Sequence, residues 1–122
     1  MNERDRRLLE AARDAARIAI EHVRTGGPRW RSDRKTVDAA AKEVEEVSEL
    51  LTRVSPEQQV AMPSIPWREA RGMRTRLAHD YANVDLDVLE GVVSDDLPNL
   101  IAELDEALSP HANPEPSGES GG

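Results

Sequence analysis

The strongest constraint in the sequence is a single apolar stripe. Val37, Ala40, Val44, Val47, Leu51 and Val54 follow one another at intervals of 3, 4, 3, 4 and 3. That period returns side chains to one face of an α-helix and to no face of a strand. The stripe is narrow, so the helix must bury it against other helices. Leu8, Ala12, Ala16, Ala19 and Val23 repeat at 4, 4, 3 and 4, and a third series runs through Leu86, Leu89, Val93, Leu97, Leu100, Leu104 and Leu108. The only aromatic residues are Trp30, Trp67 and Tyr81, with no Phe, so Leu, Val, Ile and Ala must fill the core. A β-sandwich draws on aromatic and β-branched residues and is disfavoured. No segment alternates with period two over a useful length. No strand is therefore expected, and α/β nucleotide-binding folds are excluded.

Turn chemistry divides the stripes. Gly26, Gly27 and Pro28 stop the first helix. Ser32 or Asp33 can cap the second, and Ser55-Pro56-Glu57 reads as a cap with Pro at the first helical position of one short turn. Pro63, Ser64, Ile65 and Pro66 form a break, after which a third helix starts at Trp67 and runs towards residue 80. Pro98, preceded by Ser94, Asp95 and Asp96, reads as a break and a fresh helix start inside the last stripe. The expectation is an all-α, up-and-down four-helix bundle with helices near 3–25, 33–54, 66–80 and 86–108. It forms one domain over residues 1–108, followed by a Pro-, Gly- and Ser-rich tail, 109–122, expected to be disordered.

Other classes fall away on residue type. The absence of Cys excludes a disulfide scaffold, a thiolate zinc site and a cysteine nucleophile. The charged N-terminus lacks the apolar core of a signal peptide, and no run reaches the roughly 18 apolar residues of a membrane span. A soluble, cytoplasmic protein with no membrane association is expected. No Gly-rich phosphate loop, G-x-S-x-G or His pair at metal-ligand spacing occurs, so neither cofactor nor metal is expected. His22 and His111 read as ordinary surface residues. The net charge of −8 argues against a body coated in nucleic acid. Its distribution is uneven: residues 85–122 carry ten acidic side chains and no Lys or Arg, whereas Arg68, Arg71, Arg74 and Arg76 cluster within the third helix. Such a patch would hold a polyanion locally.

The stretch IPWREARGMRTRLAHDYANVDLD, residues 65–87, carries the chemistry. Arg74, His79 and Tyr81 form R-x4-H-x-Y. The bare spacing is equally that of a basic helix ending in a His that caps carbonyls, with Tyr81 anchoring the next turn. IPW-R-x3-G-M-R followed by L-A-H-D-Y is more specific. Together with ERDRRLLE, RKTVDAA and DLPNLI, it makes residues 2–108 resemble the HepT-like branch of the HEPN superfamily, the ribonuclease toxins of prokaryotic toxin–antitoxin pairs. The resemblance implies that Arg74 and His79 are catalytic and that Tyr81 is the motif tyrosine. Two departures stand out: Thr75 follows the Arg where Asn is usual, and Val47-Ser48-Glu49-Leu50 replaces I-G-E-A, keeping only the Glu.

RNA carries its own nucleophile, so a His that shuttles protons near neutral pH and an Arg that neutralises the phosphorane oxygens suffice for metal-independent cleavage. The products would be a 2′,3′-cyclic phosphate and a 5′-hydroxyl. On a continuous helix, Arg74 and His79 diverge by about 140°. Either the helix ends before His79, or a second subunit completes the site. Both favour a homodimer with a shared groove, in which Arg68, Arg71 and Arg76 would bind RNA. The resemblance further implies a type VII-like toxin neutralised by an MntA-type minimal nucleotidyltransferase antitoxin, which would place AMP on the Tyr81 hydroxyl. The competing reading is a non-catalytic HEPN partner of such a transferase, with His79 structural.

Overall fold

The computed structural model describes residues 1–80 and 83–109, the side chains of His79 and Asp80 excepted. Its first helix, α1, spans Glu3–Gly26. Asn2 caps it by accepting the Asp5 N–H at 2.7 Å. Gly27, at φ +76°, ends it with an N–H that returns to the Arg24 carbonyl, a conformation that disfavours any side chain. A 3-10 turn, Gly27–Ser32, then buries Trp30 and leads into α2, Arg34–Thr52, capped by Asp33. Gly26 lies where a Cβ would come within 3.0 Å of both Trp30 and Thr36, so the joint closes tightly.

The α2 stripe is buried throughout: Val37, Ala40, Val44, Val47, Leu51 and Val54 all lie in the core. Leu8, Ala12, Ala16 and Ala19 of α1 face it, with Val23 at the margin. Arg4 near the start of α1 donates to the Arg53 carbonyl at the end of α2, so the two helices are antiparallel. The short helix α3, Pro56–Ala61, is capped by Ser55 with Pro at its first position, as the sequence predicts. α4, Trp67–Leu77, returns along α2; the chain then reverses and continues as α5, Leu86–Gly91. Through a wide π-turn, Val92–Asp96, it enters α6, Leu97–Leu108. Arg13 and Arg17 of α1 both donate to Asp105 of α6, at 3.0 and 2.9 Å. The architecture is the expected all-α, up-and-down bundle, with α5, the π-turn and α6 together forming its fourth rod.

Three details differ from the sequence expectation. The third helix ends at Leu77, not near residue 80. The reversal that follows is a two-stranded antiparallel hairpin, β1 (Ala78–Asp80) and β2 (Asn83–Val84), where no strand was expected. Its strands are too short to show a period of two in sequence. At Pro98 the expected fresh helix start is present, with α6 opening at Leu97 and Pro98 in its first turn. The chain does not break there, however: the backbone stays right-handed helical from Gly91 through Leu97. Pro98 lacks an N–H and would collide with the carbonyl four residues back in a regular helix. The π-turn widens the spiral there, and the Leu97 N–H reaches Val92 instead. Of the tail expected to be disordered, residues 110–122 lie outside the described residues. Among the described residues no helix is long and apolar enough to cross a membrane.

One polar network sits inside this apolar frame. Asp5, only 1% exposed, accepts from the Ser55 hydroxyl at 2.6 Å and from the Ser55 N–H at 3.0 Å. It ties the start of α1 to the cap of α3. The Ser55 hydroxyl, with its N–H, holds the Asp5 carboxyl below the usual carboxylate range, and Arg4 adds to the effect.

Candidate active site

The basic helix α4 is fixed from its inner face. Trp67, Ala70, Met73 and Leu77 are buried, and the Trp67 indole N–H donates to the Met62 carbonyl at 3.0 Å. With those positions turned inward, Arg68, Arg71, Arg74 and Arg76 are all exposed. They do not form one patch. Arg71 donates to Gln59 Oε1 of α3 at 2.8 Å, and Arg74 lies 3.8 Å from Glu49 of α2. Arg76 points the other way: it donates to the Glu69 carbonyl at 3.3 Å and lies 3.7 Å from Asp96 in the π-turn. Arg71 and Arg74 thus share the side of α4 towards α2 and α3, and Arg76 does not join them.

Between α2 and α4, Ser48 is 3% exposed and donates its hydroxyl to the Arg71 carbonyl at 2.8 Å. This is the second position of the segment that departs from I-G-E-A. A glycine there would offer no such bond, so the departure belongs to helix packing. It also places Glu49, the residue that segment retains, next to Arg74. Their side chains are 54% and 64% exposed, so the guanidinium is restrained but open to solvent. Lys42, Glu45, Glu46, Glu49 and Arg74 together line a shallow depression. The sequence reading gave Glu49 no role, although its retention was the available signal.

The backbone at the end of α4 bears directly on the Arg–His geometry. Ala78 adopts φ −71°, ψ 120°, and its N–H closes the last turn on the Thr75 carbonyl. The Leu77 carbonyl is taken by the Asp85 N–H at 2.8 Å, across the hairpin. His79 therefore stands in strand β1, in the pairing bounded by Ala78 opposite Val84 and Asp80 opposite Asn83. It is out of helical phase with Arg74. The first of the two alternatives open in the sequence, a helix that ends before His79, is present in the fold. Asp85 then caps α5 by accepting the Val88 N–H at 3.1 Å. The side chain of His79 and the whole of Tyr81 lie outside the described residues. Thr75 is exposed on the last turn of α4. Among the described residues, no three His, Asp or Glu side chains gather as a metal site.

Residues 8–107 match the family described as Ribonuclease HepT-like. A relative named "Probable ribonuclease HepT", from Thermococcus cleftensis, is 34% identical over 74 residues, covering 61% of this chain and 67% of that protein. From Methanocaldococcus jannaschii, "Putative RNase MJ0127" is 25% identical over 76 residues, 62% of this chain and 63% of its own length. A second protein of that organism, "Putative RNase MJ1380", is 27% identical over 67 residues, 55% of this chain and 62% of its own. The aligned stretches thus span about two thirds of each relative. No solved structure matches the chain at a significant level. The bundle, the basic α4 and the match across nearly the whole helical region agree: the chain belongs to the HepT-like ribonuclease family.

Proposed function

We propose that this chain is a metal-independent endoribonuclease in which Arg74 and His79 act on one phosphodiester. The observation that carries the proposal is the end of α4 at Leu77. It frees His79 from the helical phase that would turn it about 140° from Arg74. The exposed Arg74 guanidinium binds the non-bridging phosphate oxygens and neutralises the charge that builds on the pentavalent phosphorane. A neutral His79 removes the 2′-OH proton; the 2′ oxygen attacks phosphorus, and the P–O5′ bond breaks. A protonated His79 of a second copy supplies the proton to the departing 5′ oxygen, giving the cyclic phosphate and the 5′-hydroxyl. Two copies of α4 facing each other provide both states of the imidazole, so the working unit is a homodimer. Arg68 and Arg71 extend the groove along the RNA backbone. Arg76, engaged with Asp96, serves this role only after exchanging that partner.

In the cell the activity is that of a type VII-like toxin, silenced when an MntA-type nucleotidyltransferase adds AMP to Tyr81. Each added phosphate brings negative charge to the motif that carries His79 and so opposes the binding of RNA. Purified Arg74→Ala and His79→Ala proteins should each lose at least about 100-fold in cleavage rate, since one charge-stabilising donor is commonly worth 10²–10³. Wild-type activity should persist in EDTA. Full activity in His79→Ala, or abolition by EDTA, overturns the mechanism. Co-expression with the transferase followed by intact mass measurement should show adenylate mass on wild type and none on Tyr81→Phe. Equal labelling of both removes the tyrosine assignment.

A further inference from the structure

Beside the hairpin that carries His79 lies a cavity of about 200 Å³ that plays no part in the cleavage step. Its apolar wall is Val37, Val84 and Leu86; its polar edge is Arg31, Ser32, Arg34, Asp38 and Asn83. Ion pairs cross the joint at its edge. Arg31 binds Asp87 at 2.8 Å and also Glu90, clamping α5 to the 3-10 turn. Arg34 donates Nε to both oxygens of Asp38 at 3.1 Å.

These features define an occupant. The volume suits one small ring system and not a folded peptide segment. The apolar wall asks for an uncharged face. Both guanidinium groups at the cavity's edge are already paired, Arg34 with Asp38 and Arg31 with Asp87 and Glu90, the latter two standing outside the lining. Asp38 is an acceptor whose two oxygens retain lone pairs beyond those that Arg34 uses, so it can take a further donor. A flat, neutral heterocycle carrying an exocyclic amino group fits the volume, the apolar wall and the Asp38 acceptor together. A phosphate would leave the apolar wall without a partner.

Position adds the source. Asn83 and Val84 form the strand paired to β1, so the cavity adjoins the strand on which His79 stands. Along α2, Asp38 is about three turns from Glu49, the residue beside Arg74, a separation of about 16 Å at roughly 1.5 Å per residue. A single strand of RNA held at Arg74 would reach it within a few nucleotides. We infer that the cavity between the hairpin and the start of α2 is a nucleobase subsite of the RNA groove, in which Asp38 accepts from the amino groups of adenine and cytosine in preference to uracil N3–H. The two carbonyl oxygens that flank that N–H repel a carboxylate. The inference rests on the ribonuclease reading for one element of it, the RNA strand held at Arg74 that brings the base there, and not for the cleavage step.

The test separates the two. Oligonucleotides of A, C or U in which every 2′-OH is methylated cannot be cleaved, so their binding reads the subsite whether or not the protein cuts RNA. Fluorescence anisotropy should show wild type binding oligo(A) and oligo(C) at least fivefold more tightly than oligo(U). Asp38→Ala uncovers Arg34, so its affinity for all three should hold or rise, while the ratio between them falls to within twofold. Asn83→Ala, checked for helicity by circular dichroism, should also lower the ratio. Equal binding of the three by wild type, or an unchanged ratio in Asp38→Ala, overturns the subsite. Displacement of oligo(A) by micromolar AMP assigns the cavity to a free nucleotide and overturns the RNA reading. If base discrimination holds but unmodified RNA is not cleaved, the ribonuclease proposal fails and the subsite stands. The reverse result sinks the subsite alone.

Discussion

Replacing Asp5 with Asn is a nearly isosteric change at a position that is 1% exposed, so it alters charge and one acceptor position while leaving volume unchanged. In wild type the carboxylate accepts two hydrogen bonds from Ser55. A hydrogen bond to an ionised acceptor contributes about 1.5–3 kcal/mol, against about 0.5–1.5 for a neutral pair. In Asn the one oxygen can keep the Ser55 N–H bond as a neutral pair, while the amide nitrogen donates to the Ser55 hydroxyl in place of accepting from it. Exchanging two charge-assisted bonds for two neutral ones should cost about 2 kcal/mol at pH 7. For a bundle of this size that lowers Tm by roughly 8–16 °C. The pH dependence carries the sign. The folded carboxyl titrates below its unfolded value, so the folded state binds its proton more weakly. Its stabilisation is complete above the unfolded pKa of about 3.9 and is lost as pH falls through the lower, folded value. All other carboxylates are common to both proteins, so the difference between them isolates Asp5. Urea unfolding at pH 7 and at successive steps down to pH 2 should show a gap that closes in acid. A gap that is the same at every pH, or absent at pH 7, refutes the charge-assisted account.

The remaining predictions concern the helix that carries the site. Ser48→Ala removes the hydroxyl bond to the Arg71 carbonyl and should cost about 1 kcal/mol, seen as a Tm drop of roughly 4–8 °C. Glu49→Gln breaks a solvent-exposed pair and should change stability by less than about 1 kcal/mol. It should nevertheless lower KM for RNA severalfold, because a like charge near the phosphate is worth about 1 kcal/mol at 4 Å in water; an unchanged KM argues against a phosphate seated at Arg74. Arg31→Ala unties Asp87 and Glu90 from the 3-10 turn. Amide exchange in α5 should accelerate while that of α1 stays as in wild type; equal acceleration in both would show that the clamp is not local.

What the sequence makes legible follows from how each feature is encoded. The α2 stripe, the Ser55 cap with Pro56 and the Asp33 cap are local signals, and each appears in the fold where the spacing places it. The end of α4 is not encoded locally. Ala78 is a strong helix former, and neither Gly nor Pro follows Leu77. The helix stops because the Asp85 N–H, eight positions on, takes the Leu77 carbonyl, a tertiary event with no local marker. The four arginines illustrate the same limit. Their spacing shows a basic helix, but only the contacts to Gln59, Glu49 and Asp96 show that Arg76 parts from Arg71 and Arg74. The cavity beside the hairpin joins residues near position 34 to residues near position 84, and no sequence window contains both.

A π-turn holds one residue more than a regular helix needs to connect the same two faces. Leu89 before Val92–Asp96 and Leu97, Leu100 and Leu104 after it are all fully buried, so the surplus is absorbed without rotating either flank away from the core. At this point the fourth rod can change its number of residues and keep its inward face. Shortening the turn by one residue restores an ordinary α-helix, and the obstacle is then Pro98 alone, whose ring meets the carbonyl four positions back. A homologous chain with a small unbranched residue in place of Pro98 could carry the shorter form. A gap of one residue in an aligned sequence here therefore marks a change of helical pitch, with the bundle and its basic helix left as they are.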